Sequence, residues 1–248
     1  MNAMSVAGRR GEINWGKAGR QYDTFVVSFG IMVPFMLGDC VHIWDIPTTT
    51  VSGGCKAIRL RPDPRMKWRI LLGDWAVMSS IGLVIGAPFA CGGVHWGLGV
   101  ALSVPALPLL AVGIYLMWQN PRDRTIRLVL GRHAWGSSDP AHWGKSIRKD
   151  IVDPKAALGV KSFAALAKKA MAKEDWCTAM WAARLCVAAE NADLGEELTD
   201  TILAEADVQD RLAAVRRDPQ QHKREFGKAP PLQQWLRCDP ELHILEID

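Results

Sequence analysis

Several chemistries have no foothold in this 248-residue chain. Its six cysteines include no Cys-x-x-Cys pair, and neither His-Glu-x-x-His nor a nucleophile elbow occurs. Those absences remove the commonest zinc, metalloprotease and hydrolase signatures. No catalytic, cofactor-binding or metal residue is therefore assigned, and no cofactor is expected. A phosphate loop is missing too. Gly144-Lys145-Ser146 has the right tail, but the glycine required five residues before Gly144 is Asp139, an anion where phosphate would sit. Residues 1–22 lack the apolar core of a signal peptide, so no cleaved leader is expected. Their polar, glycine-rich composition predicts a flexible arm.

Charge is absent over a far longer stretch. From Trp75 to Gln119, 45 residues hold no Asp, Glu, Lys or Arg. A helix crosses the hydrocarbon core with about 20 apolar residues, so two crossings fit, joined where Gly92, Gly93, His95 and Gly97 interrupt the aliphatic run. The stretch predicts a transmembrane helical hairpin over residues 74–119, with the lipid bilayer as a partner. Trp75, Trp96 and Trp118 fall at the expected membrane interface, and Ser79, Gly82, Gly86 and Ala90 make a small-residue face for helix packing. Gly97 and Ala101 begin a similar face on the second helix, and Pro88, Pro105 and Pro108 predict kinks.

Arginines and lysines flank the hairpin on both sides, Lys56 to Arg69 before it and Arg122 to Arg132 after it, while its connection carries none. Positive charge collects on the cytoplasmic side, so the expectation is a two-span, multi-pass protein with both termini cytoplasmic. Making Thr24–Trp44 a third span would strand Arg9, Arg10, Lys17 and Arg20 outside, against the same rule. The net charge of +4 is unevenly divided: residues 1–150 hold 17 Lys/Arg against 9 Asp/Glu, residues 151–248 hold 13 against 17. A basic half suits an anionic leaflet. The acidic half excludes a nucleic-acid face there, and no nucleic-acid partner is expected.

Residues 23–73 predict a small β-rich cytoplasmic region. Val26, Val27, Phe29, Ile31 and Val33 favour a strand, Cys40–Trp44 is a second, and Ile58 and Leu60 alternate with Arg59 and Arg61 as a third. Residues 120–152 form a basic juxtamembrane linker. In it, His133/Trp135 and His142/Trp143 suit a headgroup zone better than a metal, since two histidines lack a third ligand at a suitable spacing. Cys40, His42 and Cys55 match no common zinc spacing, and the cysteines are expected to be reduced.

Residues 153–227 read as helical. Asp153-Pro154 is a helix start, Phe163, Leu166, Ala167, Ala170 and Met171 share one face, and a second helix occupies Asp175–Glu190. Asp193 with Glu196 suggests a capping box opening a third helix that ends before Pro219. This alternation of helix and short break, above all Glu174–Leu194, resembles the helical hairpins of tetratricopeptide-like repeats over about one and a half repeats. The resemblance implies an all-α architecture suited to binding proteins, though the family's Gly, Tyr and Pro pattern is missing. Between Glu190 and Asp210 stand eight acids and no base. Glu196, Glu197 and Asp200 are thus candidates for a face toward a basic partner. Residues 228–248 form a tail whose Ile244, Leu245 and Ile247 should pack on a domain or a partner.

The fold class expected is a membrane protein of α+β type: a two-helix hairpin, a small β-rich region and a C-terminal helical domain. The function expected is an integral membrane subunit that scaffolds a multi-subunit assembly of the secretion, conjugation or respiratory kind. The alternative is a membrane-anchored enzyme or transporter accessory with a site at headgroup level built from His133, His142 and nearby arginines.

Overall fold

The computed structural model describes residues 5–16, 19–27, 37–44, 55–90, 104–117 and 121–247. The chain divides into two compact units. Met1–Gly8, Phe25–Gly38 and Pro62–Trp118 make the first; Arg9–Thr24, Asp39–Arg61 and Gln119–Asp248 make the second.

The first unit is built on two helices packed side by side, α1 (Pro64–Ala90) and α2 (Ala106–Met117). Asp63 opens α1, its carboxylate accepting from the N–H groups of Arg65 and Met66. The transmembrane hairpin is overturned here: no helix among the described residues is long and apolar enough to cross a membrane. The reason lies in the charge and length of the two helices over the described residues. α1 has 27 residues, but its early turns carry Arg65, Lys67, Arg69 and Asp74. Its uncharged remainder, Trp75–Ala90, gives about 24 Å of helix, against roughly 30 Å of hydrocarbon. α2 has 12 residues, about 18 Å. The two-span membrane topology, the cytoplasmic placement of both termini and the integral-membrane role fall with the hairpin. Pro105 and Pro108 do not kink α2; they stand just before it and in its first turn, where a missing N–H costs nothing.

The expected small-residue seam is also placed differently. Ser79 and Gly82 are exposed, and a methyl group on Gly82 would meet nothing within 4 Å. Gly86 and Ala90 belong to α1; Trp96, Trp118, Gly97 and Ala101 lie outside the described residues. The close approach is at Gly113 of α2, where a Cβ would stand 2.7 Å from Val77 Cγ2 and 3.0 Å from the Gly73 carbonyl. Gly113→Val is therefore expected to push the two helices apart and cost about 1–3 kcal/mol. Far-UV circular dichroism on heating measures this, and an unchanged melting profile would contradict the packing.

The chain carries a sheet of four strands and a short fifth, in the order β1-β2-β3-β4-β5: Ser5–Asn14, Arg20–Val27, Leu37–Trp44, Cys55–Arg59 and Leu245–Ile247, of which residues 9–14, 20–24, 39–44, 55–59 and 245–247 belong to the second unit. Residues 5–14, expected to be a flexible arm, thus form a strand. Antiparallel β3 and β4 set His42 opposite Ile58 and Trp44 opposite Lys56. β5 pairs antiparallel with β4 and sets Glu246 opposite Lys56 in register. On β4, Ile58 is buried and Arg59 exposed, with Leu60 buried beyond the strand's end. On β2 and β3 the alternation vanishes, because Gln21 to Phe25 and Cys40 to Trp44 are all buried. Residues 28–36, which include the expected strand at Phe29, Ile31 and Val33, lie outside the described residues.

The helices after residue 120 are α3 (Pro121–Leu130), α4 (Lys145–Lys149), α5 (Pro154–Leu158), α6 (Phe163–Met171), α7 (Trp176–Ala189), α8 (Ala192–Ala204), α9 (Ala206–Arg217) and α10 (His222–Glu225). Their starts are chemically marked. Asp153, Ser162, Asp175 and Asn191 each accept a backbone N–H from the first turn of α5, α6, α7 and α8. The cap of α8 is Asn191 rather than the expected Asp193, and Glu205 separates α8 from α9.

The core of this unit is aromatic. Trp135 meets Trp143 edge-on at 5.1 Å, Trp143 lies 6.1 Å from Trp181, and Trp181 stacks on Trp235 at 6.3 Å. Trp135 and Trp143, expected at the headgroup zone, are wholly buried. Burial is tolerable because their indole N–H groups have internal acceptors, the Pro240 carbonyl and Ser138 Oγ respectively.

Candidate functional site

The histidines proposed from sequence for a headgroup-level site are engaged in structure. His133 accepts the Trp135 N–H at Nδ1, and its Nε2–H donates to the Ser138 carbonyl at 3.1 Å. Its ring also meets Trp181 edge-on at 4.7 Å. Burial lowers its pKa to about 3, against the raising effect of the Ser138 bond, so it stays neutral. His142 Nδ1 lies 3.5 Å from Asp139. Its pKa is lowered by burial, although Asp139 opposes the shift. Asp139, the residue that disqualified a phosphate loop, is itself internal.

Asp139 begins a chain of ion pairs. Arg184 of α7 grips it with Nε at 3.0 Å and Nη2 at 2.8 Å, while Nη1 reaches Glu196 of α8 at 2.9 Å. Glu196 in turn accepts from Arg122 Nη2 at 2.7 Å, and the same nitrogen reaches Asp200 at 2.7 Å. Burial opposes ionisation of Asp139, but Arg184 and then His142 hold its carboxyl below the ordinary range. Two members of the expected acidic partner face, Glu196 and Asp200, are thus spent on Arg122 and Arg184 of the same chain. Glu197 is exposed.

A second polar cluster was not anticipated. Asp23 on β2 is fully buried between two guanidiniums and an imidazole: Arg10 of β1 at 3.0 Å, Arg127 of α3 in direct contact, and His42 Nδ1 of β3 at 2.8 Å. Burial opposes ionisation of Asp23, but Arg127, the His42 hydrogen bond and Arg10 together keep its carboxyl well below the usual range. Burial likewise lowers the pKa of His42, against the Asp23 bond and aided by Arg127. The imidazole is therefore neutral, with Nδ1–H donating to Asp23. Its Nε2, the Gln21 amide and Ser137 Oγ have no hydrogen-bond partner among the described residues. They gather near Gly136, where φ is +68° and a Cβ would come within 2.9 Å of both Gln21 Oε1 and His42 Nε2. Only glycine suits that position. Aspartate and imidazole in this order resemble a catalytic pair, but His42, Asp23, Gln21 and Ser137 have no exposed surface. The cluster instead ties β1, β2, β3 and α3 together through the Asp23 carboxylate.

Metal-ligand geometry arises at one place among the described residues. Asp150, Cys238 and His243 bring one oxygen, one sulfur and one nitrogen within 4.8 Å of each other. The sequence nominated none of the three. His243 is 93 residues from Asp150, and the only local signal was the Cys-x4-His spacing. Cys40, His42 and Cys55 do not come together as such a group.

The surface feature that stands out belongs to the first unit. Trp68 of α1 is 63% exposed, and Trp75, placed at a membrane interface by sequence, is 45% exposed. Leu72, Met78 and Ile81 on the same helix are exposed as well. On α2, Leu107 is 74% and Tyr115 71% exposed. No protein-family model, curated protein or solved structure matches the chain. The tetratricopeptide resemblance accordingly extends no further than the order of helices α6 to α8.

Proposed function

We propose that this chain is a non-catalytic docking protein whose two-helix unit receives an apolar helical surface of a partner protein. The exposed row on α1 carries the reading. Trp68, Leu72, Trp75, Met78 and Ile81 recur at steps of three and four residues, which makes one continuous stripe. Isolated exposed apolar residues are ordinary, but a contiguous large patch marks a binding surface. Each such side chain withdrawn from water contributes roughly 1.5–3 kcal/mol. Polyanionic nucleic acid does not suit a surface of this kind.

Charge narrows the partner. Arg65 is exposed near the start of α1, where the capping carboxylate is Asp63. An exposed cation beside an apolar stripe favours a partner that brings acidic groups to it. The partner inferred is an apolar helix with acidic flanks. The buried polar groups of the second unit support the same view, since Arg127 and Arg184 are paired with Asp23 and Asp139, and His133 and His222 are held by backbone carbonyls.

The experiment is paired mutagenesis of exposed positions. Leu72→Asp with Met78→Asp should leave folding intact and weaken binding to the purified partner about 100-fold. Arg65→Glu should weaken it less, and more at low salt than at high. Wild-type protein that forms no stoichiometric protein complex, or that instead sediments with phosphatidylcholine vesicles through the same residues, would overturn the assignment.

A further inference from the structure

We infer that Asp150, Cys238 and His243 form a binding site for one divalent zinc-like metal ion, with a fourth coordination position open to water. The inference is independent of the docking role, because it concerns side chains of the second unit alone.

Three backbone elements build the site. Asp150 succeeds the last turn of α4, its N–H bonded to the carbonyls of Ile147 and Arg148. Its neighbour Ile151 bridges to Leu236, Arg237 N–H donates to the Asp150 carbonyl at 2.7 Å, and Val152 N–H to the Trp235 carbonyl at 2.9 Å. That ladder fixes the Asp150 side chain beside Cys238. His243 closes a 3-10 turn, Pro240–His243, whose first N–H groups are capped by Asp239. The turn is anchored by the Trp135 indole, which donates to the Pro240 carbonyl at 3.1 Å and meets the His243 ring edge-on at 5.8 Å. The donors are thus held by packed structure, as a binding site requires.

Their convergence is chemically unusual. His243 Nε2 lies 3.3 Å from Cys238 Sγ and 2.9 Å from Asp150 Oδ2. With a proton on Nε2 the imidazole donates to Asp150, and the Cys238 thiol has the same carboxylate as its acceptor, so two protons stand where a cation would bind. This is not the relay of a thiol nucleophile, where the carboxylate binds the other ring nitrogen. A metal would replace those two protons: imidazole lone pair, thiolate and carboxylate all lie within reach of one cation. Sulfur with nitrogen and oxygen suits zinc, with bonds of about 2.3 Å to S and about 2.0–2.2 Å to N and O. Tetrahedral ligands at those lengths stand roughly 3.3–3.6 Å apart, so a small outward movement admits the ion. Thiolate and carboxylate neutralise its two charges. The side chains of His243 and Asp150 are 14% and 35% exposed, which leaves one side of the ion to solvent, the three-ligand pattern of open zinc sites.

The test uses the full chain, purified with chelator and titrated with cobalt(II), whose thiolate complexes absorb in the near ultraviolet. Wild type should bind one cobalt per chain with a thiolate charge-transfer band, and zinc should displace it. Cys238→Ser should remove the band, while Cys55→Ser keeps it. His243→Gln and Asp150→Asn should each weaken affinity at least tenfold. Zinc should also raise the melting temperature of wild type and leave that of Cys238→Ser unchanged. If Cys238→Ser fails to fold, protection of Cys238 from iodoacetamide by zinc in wild type decides the matter. Absence of bound cobalt, a band that survives Cys238→Ser, or undiminished alkylation of Cys238 under zinc would each overturn the site.

Discussion

Replacing Asp23 by alanine lowers the stability of the second unit by about 3–5 kcal/mol, the cost of leaving buried charge without its counter-ion. The carboxylate is wholly enclosed, with Arg10, Arg127 and His42 all directed at it. Taking it away strands the Arg127 guanidinium in a low-dielectric interior, where it cannot lose its proton, and removes the nearer carboxylate of Arg10, which keeps Asp123 at 3.8 Å. Asp23→Asn is expected to cost nearly as much, because the amide keeps the shape and loses the charge. Adding Arg10→Met to Asp23→Asn should recover part of the loss, since the two sites interact directly. Urea unfolding followed by tryptophan emission measures all three variants, and a loss under about 1 kcal/mol for Asp23→Ala would refute that role for Asp23.

Acid is expected to destabilise the protein in two stages. His42 and His222 are buried and neutral, with pKa values pushed below the ordinary 6.5 chiefly by burial; a hydrogen bond, to the Asp23 carboxylate for His42 and to the Val129 carbonyl for His222, only partly offsets it. Below that value the unfolded chain takes up protons that the folded chain refuses. Stability is therefore whole above pH ~6.5 and declines as pH falls, by up to about 1.4 kcal/mol per pH unit for each histidine. Asp23 and Asp139 act lower down. Burial works against their ionisation, but their arginine partners hold their pKa values below the ordinary carboxylate range. Their contribution is complete above about pH 4 and disappears as pH drops further. Urea midpoints measured between pH 7.5 and 3 should show a decline beginning near 6.5 and steepening under 4. His222→Gln should flatten the upper stage by as much as one proton. A midpoint constant from pH 7.5 to 5 would contradict the first stage.

How much of this was legible depends on the range of the interaction. Local chemistry was readable: the helix starts at Asp153 and Asp175 are one-residue signals, and the alternation through Ile58 and Leu60 marks a half-covered strand. Pairings distant in sequence were not. Asp23 and Arg127, or Asp139 and Arg184, carry nothing in their surroundings that names the other, so these buried ion pairs had no signal in the sequence. Nor does the acidic run that holds Glu196 and Asp200 show that Arg122 and Arg184 stand beside it. The uncharged stretch misled in another way. Hydropathy records aversion to water without saying whether lipid, the protein's own core or a partner relieves it. Among the described residues no helix is long and apolar enough to cross a membrane, α2 having 12 residues.

The short strand β5 has a consequence for solubility in the everyday sense. It occupies the free side of β4 through only three paired positions, Cys55 with Ile247, Lys56 with Glu246 and Ala57 with Leu245. Uncovered β-edges recruit strands from neighbouring molecules. A protease that clipped the chain after His243 would peel away this guard and expose a template for fibril growth, turning a minor nick into precipitation.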